Sequence, residues 1–171
     1  LERMYQRRLK AYAQIGYCTA PAEGEVTGGG VIYDTRTFAA AMKQDFLGAH
    51  ETILVVSPFI TRGRAAYILE WLRPALGRGV AVEIVTRPPS TCKPQAQDAA
   101  AWSIAEYRAA GATVSERPAI HQKFVLVDRR LVWYGSLNLL SYGESEESLM
   151  RLASREIAQE LEASIAPRPG S

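Results

Sequence analysis

HQKFVLVDRRLVWYGSLN, residues His121 to Asn138, holds two short apolar runs, Phe124-Val125-Leu126-Val127 and Leu131-Val132-Trp133-Tyr134, on either side of a polar break. Runs this short, rich in β-branched and aromatic residues, predict a β-hairpin with strands over 123–127 and 131–134. With Arg129-Arg130 taken as a two-residue turn, Lys123 faces Ser136 and His121 faces Asn138. Side chains alternate faces with period two and opposed residues share a face, so these four would project to one side of a sheet. An imidazole, an ammonium, a hydroxyl and a carboxamide gathered in one place suit a phosphodiester: one nucleophile ringed by donors for the non-bridging oxygens. A single histidine at a strand start is more often structural than catalytic. Lys123 shifts that balance, because an ammonium beside a buried strand is costly unless an anion compensates it. Asp128 lies an odd number of positions from His121, so parity sends it away from the shared face and gives it a structural role in the hairpin.

Upstream of this stretch, helical and strand patterns alternate. The spacing of apolar residues predicts helices over 38–48, 65–76 and 96–109, and strands over 52–57, 80–86 and 112–115. Downstream, residues 155–165 read as a helix capped by Ser154. Such alternation predicts an α/β fold, an α-β-α sandwich with a mixed, mostly parallel sheet. Near-continuous apolar runs such as Ile53-Leu54-Val55-Val56 support burial on both faces. Residues 1–17 have the spacing of an amphipathic helix, and Gly28-Gly29-Gly30 reads as a joint, because no Gly-Lys-Ser/Thr follows to make a phosphate loop. The expected organisation is a helix and joint over 1–30, a catalytic domain over 31–165 and a tail over 166–171.

At 171 residues the chain is long enough to bury a core on both faces of one sheet, and too short for two catalytic domains. Its net charge of +2 identifies no partner. Cys18 and Cys92, with His50 and His121 as the two histidines, supply neither a disulfide framework nor a metal-ligand cluster, so no metal or other cofactor is expected. The cysteines read as free thiols of a reducing compartment. With no long apolar run and no signal segment, the expectation is a cytoplasmic protein. The opening at Leu1 leaves room for a larger multidomain parent.

The residues His121, Lys123 and Asp128, followed by Gly135-Ser136-Leu137-Asn138 and then Glu147-Ser148, resemble the phospholipase D superfamily signature H-x-K-x4-D-x6-G-S-x-N. The order of elements over 31–165 resembles the superfamily's single-motif members, among which short chains are typically nucleases. The resemblance implies that His121 attacks phosphorus and becomes a phosphohistidine, that Lys123, Ser136 and Asn138 hold the phosphate oxygens, and that Glu147 hydrogen-bonds the second ring nitrogen of His121. It also implies a second histidine as general acid. His50 lacks the companion lysine, so the expected answer is a homodimer that brings two copies of His121 together across a two-fold axis.

Two loops, 59–64 and 87–93, carry Arg62, Arg64, Arg87 and Lys93 with Phe59, and could line a groove for a polyanion with a ring for a base to stack on. Basic loop residues are more often plain solvated surface. Together with the short single-motif resemblance they favour DNA or RNA over a membrane. The alternatives are a lipid phosphodiesterase or transferase, which the basic residues of 1–17 keep open, a non-catalytic binding module, and the nuclease part of a larger helicase-like or restriction enzyme.

Overall fold

The computed structural model describes residues 30–141 and 146–166 and, as backbone, 18–19. The helix and most of the joint expected over 1–30 lie outside the described residues, as does most of the tail over 166–171. Eight strands form one sheet: β1 Cys18–Thr19, β2 Val31–Asp34, β3 Thr52–Val56, β4 Ala81–Thr86, β5 Thr113–Glu116, β6 Phe124–Val127, β7 Leu131–Gly135 and β8 Ser148–Ala153. Their order across the sheet is β1-β2-β8-β7-β6-β3-β4-β5. Four α-helices are described: α1 Phe38–Leu47, α2 Arg62–Gly77, α3 Pro94–Ala109 and α4 Arg155–Ser164.

The sheet is mixed, as expected. All strands but β6 and β8 run the same way, yet those two are interleaved with the others, so four of the seven neighbouring pairs are antiparallel. The parallel β3-β4-β5 half is joined by α2 and α3, while β6, β7 and β8 form a meander that separates it from β2. Alternation sorts the side chains. Ile53, Val55, Ile84, Val125, Val127 and Trp133 pack with α1, α2 and α3, whereas Leu54, Val56, Val85, Leu126 and Val132 pack with Ala158 of α4. Helices therefore cover both faces, which is why the strand sequences are nearly all apolar instead of alternating. Ser154 caps α4, its Oγ accepting the Ile157 N–H at 3.2 Å.

Two strands, β2 and β8, were not expected from the sequence, nor was the two-residue β1. The hairpin register also departs from expectation. Phe124 pairs with Tyr134 and Val127 with Leu131, one residue off the register that an Arg129-Arg130 turn would give. The turn is closed instead by the Arg130 N–H on the Val127 carbonyl at 3.1 Å, with Asp128 (φ 51°) and Arg129 (φ 47°) in the left-handed region. Arg130 is then an extra residue in the connection, its carbonyl accepting the Ser154 N–H at 2.8 Å. Asp tolerates the left-handed region better than most residues, because a short polar side chain can bond nearby backbone. Here that backbone comes from another strand: the Asp128 carboxylate accepts the N–H groups of Glu51 (2.8 Å), Thr52 (3.0 Å) and His50 (3.1 Å), and so fixes the entry into β3.

Candidate active site

Because β3, β4 and β7 run parallel and β6 and β8 oppose them, the ends of the first three and the starts of the other two meet at one edge of the sheet. Carboxyl-terminal strand edges are where open α/β sheets place ligands, since the loops there are free of the ladder. His121 and Lys123 immediately precede β6; Ser136 and Asn138 follow β7; Glu147 precedes β8; Phe59 follows β3 and Arg87 follows β4. All seven thus share that edge. Asp128 and His50 lie at the opposite edge.

The one-residue change of register removes the argument that strand alternation brings the four polar residues to one face. Continued past the ladder, it sets Lys123 level with Gly135 and His121 level with Leu137. Ser136 and Asn138 reach the edge because the chain leaves the sheet after Gly135. At Gly135 a β-carbon would run into the Ser148 carbonyl, so only glycine allows β7 and β8 this approach. The Ser136 N–H donates to the Ser148 carbonyl at 3.1 Å, and its hydroxyl accepts the Ser148 N–H at 3.3 Å. That pair ties the segment after β7 to the start of β8, and with it half-buried Glu147.

Ser57, a fully buried residue that sequence reasoning passed over, holds the neighbouring loops together. Its hydroxyl donates to the Phe59 carbonyl at 3.1 Å and accepts the Leu140 N–H at 3.2 Å. The Thr61 N–H donates to the Leu140 carbonyl at 2.9 Å. The loops following β3 and β7 are thereby one unit, in which the Asn138 side-chain oxygen is buried and has no hydrogen-bond partner. Such an orphan is rare enough in folded proteins to ask for a functional account.

Lys123 precedes β6 instead of lying on it, and is half-buried; its ammonium donates to the His121 carbonyl at 3.2 Å. The His121 ring is exposed and meets the Arg87 guanidinium, whose Nη2 lies 2.6 Å from Nε2 and 3.1 Å from Nδ1. Arg87 also donates from Nε to the Ile120 carbonyl at 3.0 Å and stacks over Phe59, 5.1 Å from the ring centroid. The sequence pointed to Arg87 and Phe59 as substrate groups but held no sign of a contact with His121, because 34 residues separate them. Arg62 is turned elsewhere: its guanidinium stacks over Trp102 of α3 at 4.1 Å. Arg64 lies over Tyr67 of its own helix at 5.4 Å, and Lys93 is exposed at the cap position of α3.

A family model described as cardiolipin synthase, PLD-like domain, matches residues 42–167. The chain belongs to the phospholipase D superfamily, and with it to a class of phosphodiesterases and phosphotransferases. A search of curated protein sequences gave no significant match. Among solved structures, the phospholipase D family member Nuc from Salmonella typhimurium superposes with a TM-score of 0.62 at 21% identity, covering 80% of this chain and 90% of Nuc. NucT from Helicobacter pylori gives 0.60 at 14% identity, covering 79% and 91%. Phosphatidylserine synthase from Haemophilus influenzae gives 0.59 at 14% identity, covering 91% of this chain and 42% of the synthase. Identities this low establish a common fold. No helix among the described residues is long and apolar enough to cross a membrane.

Proposed function

We propose that this chain is a metal-independent phosphodiesterase that cleaves DNA or RNA through a phosphohistidine on His121, its site completed by a second copy of the chain. The observation that carries the reading is the gathering, at one strand edge, of His121, Lys123, Ser136 and Asn138, a nucleophile beside an ammonium, a hydroxyl and a carboxamide N–H that can donate to phosphate oxygens. In this reading a His121 ring nitrogen attacks phosphorus while the bond to the leaving oxygen breaks, and water then opens the phosphorus–nitrogen bond. Lys123, Ser136 and Asn138 hold the phosphate oxygens, Glu147 orients the imidazole, and Arg87 and Phe59 meet the flanking nucleotide. The catalytic unit spans 31–165.

The leaving oxygen needs a proton. The chain has two histidines, and His50 stands at the far edge with its N–H on Asp128, which favours a partner's His121 as the acid. Nucleic acid is favoured by the length match: the chain covers nearly all of Nuc and NucT and less than half of the phosphatidylserine synthase. The family description, which names a cardiolipin synthase, is the observation behind a second reading as a lipid phosphodiesterase or transferase.

Incubating single- and double-stranded DNA, RNA and a phospholipid with the wild type and His121→Ala in excess EDTA separates these readings. Cleavage of a nucleic acid that survives EDTA and vanishes in His121→Ala is the expected result. Turnover of lipid alone supports the second reading; dependence on added metal overturns the phosphohistidine; an active monomer overturns the shared site.

A further inference from the structure

Arg87 makes three contacts at the candidate nucleophile, and all involve His121 or its surroundings: the ring itself, the carbonyl of Ile120 just before it, and the face of Phe59. A guanidinium has five donors and no acceptor. Whichever ring nitrogen accepts from it, at 2.6 or 3.1 Å, offers a lone pair, which is the pair that a nucleophile uses. The Arg87 backbone is fixed, its N–H on the Pro58 carbonyl at 3.3 Å, so whatever moves here is the side chain.

We propose that Arg87 is a positioning residue that orients His121 and covers its ring nitrogen until a phosphate group takes the guanidinium over. The proposal rests on His121 being the nucleophile. Its physical basis is a difference between acceptors. A neutral imidazole offers one lone pair, whereas a phosphodiester offers anionic oxygens whose bonds to a guanidinium are roughly twice as strong as neutral ones and often come in pairs. A phosphate entering beside Lys123 exchanges a weak partner of Arg87 for a strong one and uncovers the nitrogen in the same movement. Ligands without an anionic phosphate leave it covered.

The test measures how fast diethyl pyrocarbonate modifies His121 in the ligand-free protein, followed by the ultraviolet absorbance of the carbethoxylated imidazole. A His50→Gln background leaves His121 as the sole histidine. Arg87→Ala is expected to speed modification about tenfold, the factor that goes with losing a hydrogen bond of this kind. The same variant is expected to raise KM for bis(p-nitrophenyl) phosphate. A purely structural role would lower the denaturation midpoint as well, whereas here modification speeds up and KM rises with the midpoint unchanged. Arg87→Lys keeps the charge but cannot span the ring, the Ile120 carbonyl and Phe59 at once, so it decides the matter if the alanine variant does not fold: its modification rate should also exceed that of the parent. A rate unchanged by either folded variant overturns the proposal. Modification needs no turnover, so a protein that cleaves no phosphodiester sinks the proposed function separately from the Arg87 contact.

Discussion

The β6–β7 hairpin has polar residues at both ends and uses them in opposite ways. At the turn, the Asp128 carboxylate takes the N–H groups of His50, Glu51 and Thr52. Near that edge Arg78 gathers the carbonyls of Phe46, Leu47, Ala49 and Pro74, which finish α1 and α2. There donors and acceptors are matched, and the result is stability. At the open end, the Lys123 ammonium donates to the His121 carbonyl, the Arg87 guanidinium lies against the His121 ring and donates to the Ile120 carbonyl, and the Asn138 oxygen, an acceptor, is buried without a partner. Two cationic donors thus stand at that end with backbone carbonyls among their acceptors, an arrangement that suits an incoming anion. One end of the hairpin holds the fold together; the other holds capacity in reserve.

The comparison breaks if substitutions at the two ends have similar consequences. His121→Ala should have the largest effect, at least about a thousandfold on phosphodiester cleavage, with little change in the denaturation midpoint, because the ring is exposed. Asp128→Ala should do the reverse: about 3 kcal/mol of folding stability lost in urea titrations, as three amides lose a charged acceptor, with kcat unchanged in the folded protein. Asn138→Ala should lower cleavage about a hundredfold yet shift stability by less than about 0.5 kcal/mol, since the oxygen removed had no bond to lose. A large loss of stability there would mean that the open end is structural after all.

The smallest effect is one of pH. Burial pushes the Asp128 carboxyl up, but the N–H groups of Glu51, Thr52 and His50, with the charge of His50, outweigh it and hold the group below its ordinary 3.8. A carboxyl lowered on folding stabilises fully above its unfolded pKa, about 3.9, and that contribution fades as pH falls through the folded value. Wild type should therefore lose stability below about pH 4 more steeply than Asp128→Asn, as measured by denaturant midpoints across the acid range.

Much of this was legible in the sequence, because it depends on local periodicity and on fixed spacing. The helices and the β3, β4, β5, β6 and β7 strands follow from apolar patterns, and the His121-to-Asn138 motif stands out by residue type alone. β8 was not legible for a specific reason: Ser148-Leu149-Met150-Arg151-Leu152-Ala153 has an arginine at its centre, which reads as exposed surface. In the fold, that guanidinium makes a paired bond to Asp45 of α1 at 2.8 Å, and the same carboxylate accepts the Trp133 indole N–H at 2.7 Å. A charge can sit in a covered strand when its counterion arrives from 106 residues away. The hairpin register was missed because a residue in the left-handed region is invisible to a pattern of apolar positions, and Asp128 adopts it to reach β3.

The sequence by itself determined the chemistry available: one histidine with a lysine two residues on, the serine and asparagine after the glycine, and no second histidine beside them. Those are matters of residue type and interval, which folding does not alter. Only the tertiary structure decided which groups meet. The parallel and antiparallel strands bring five separate segments to one edge, and Arg87 comes to rest on His121, because long-range contacts follow strand order and register, which no local stretch of sequence encodes.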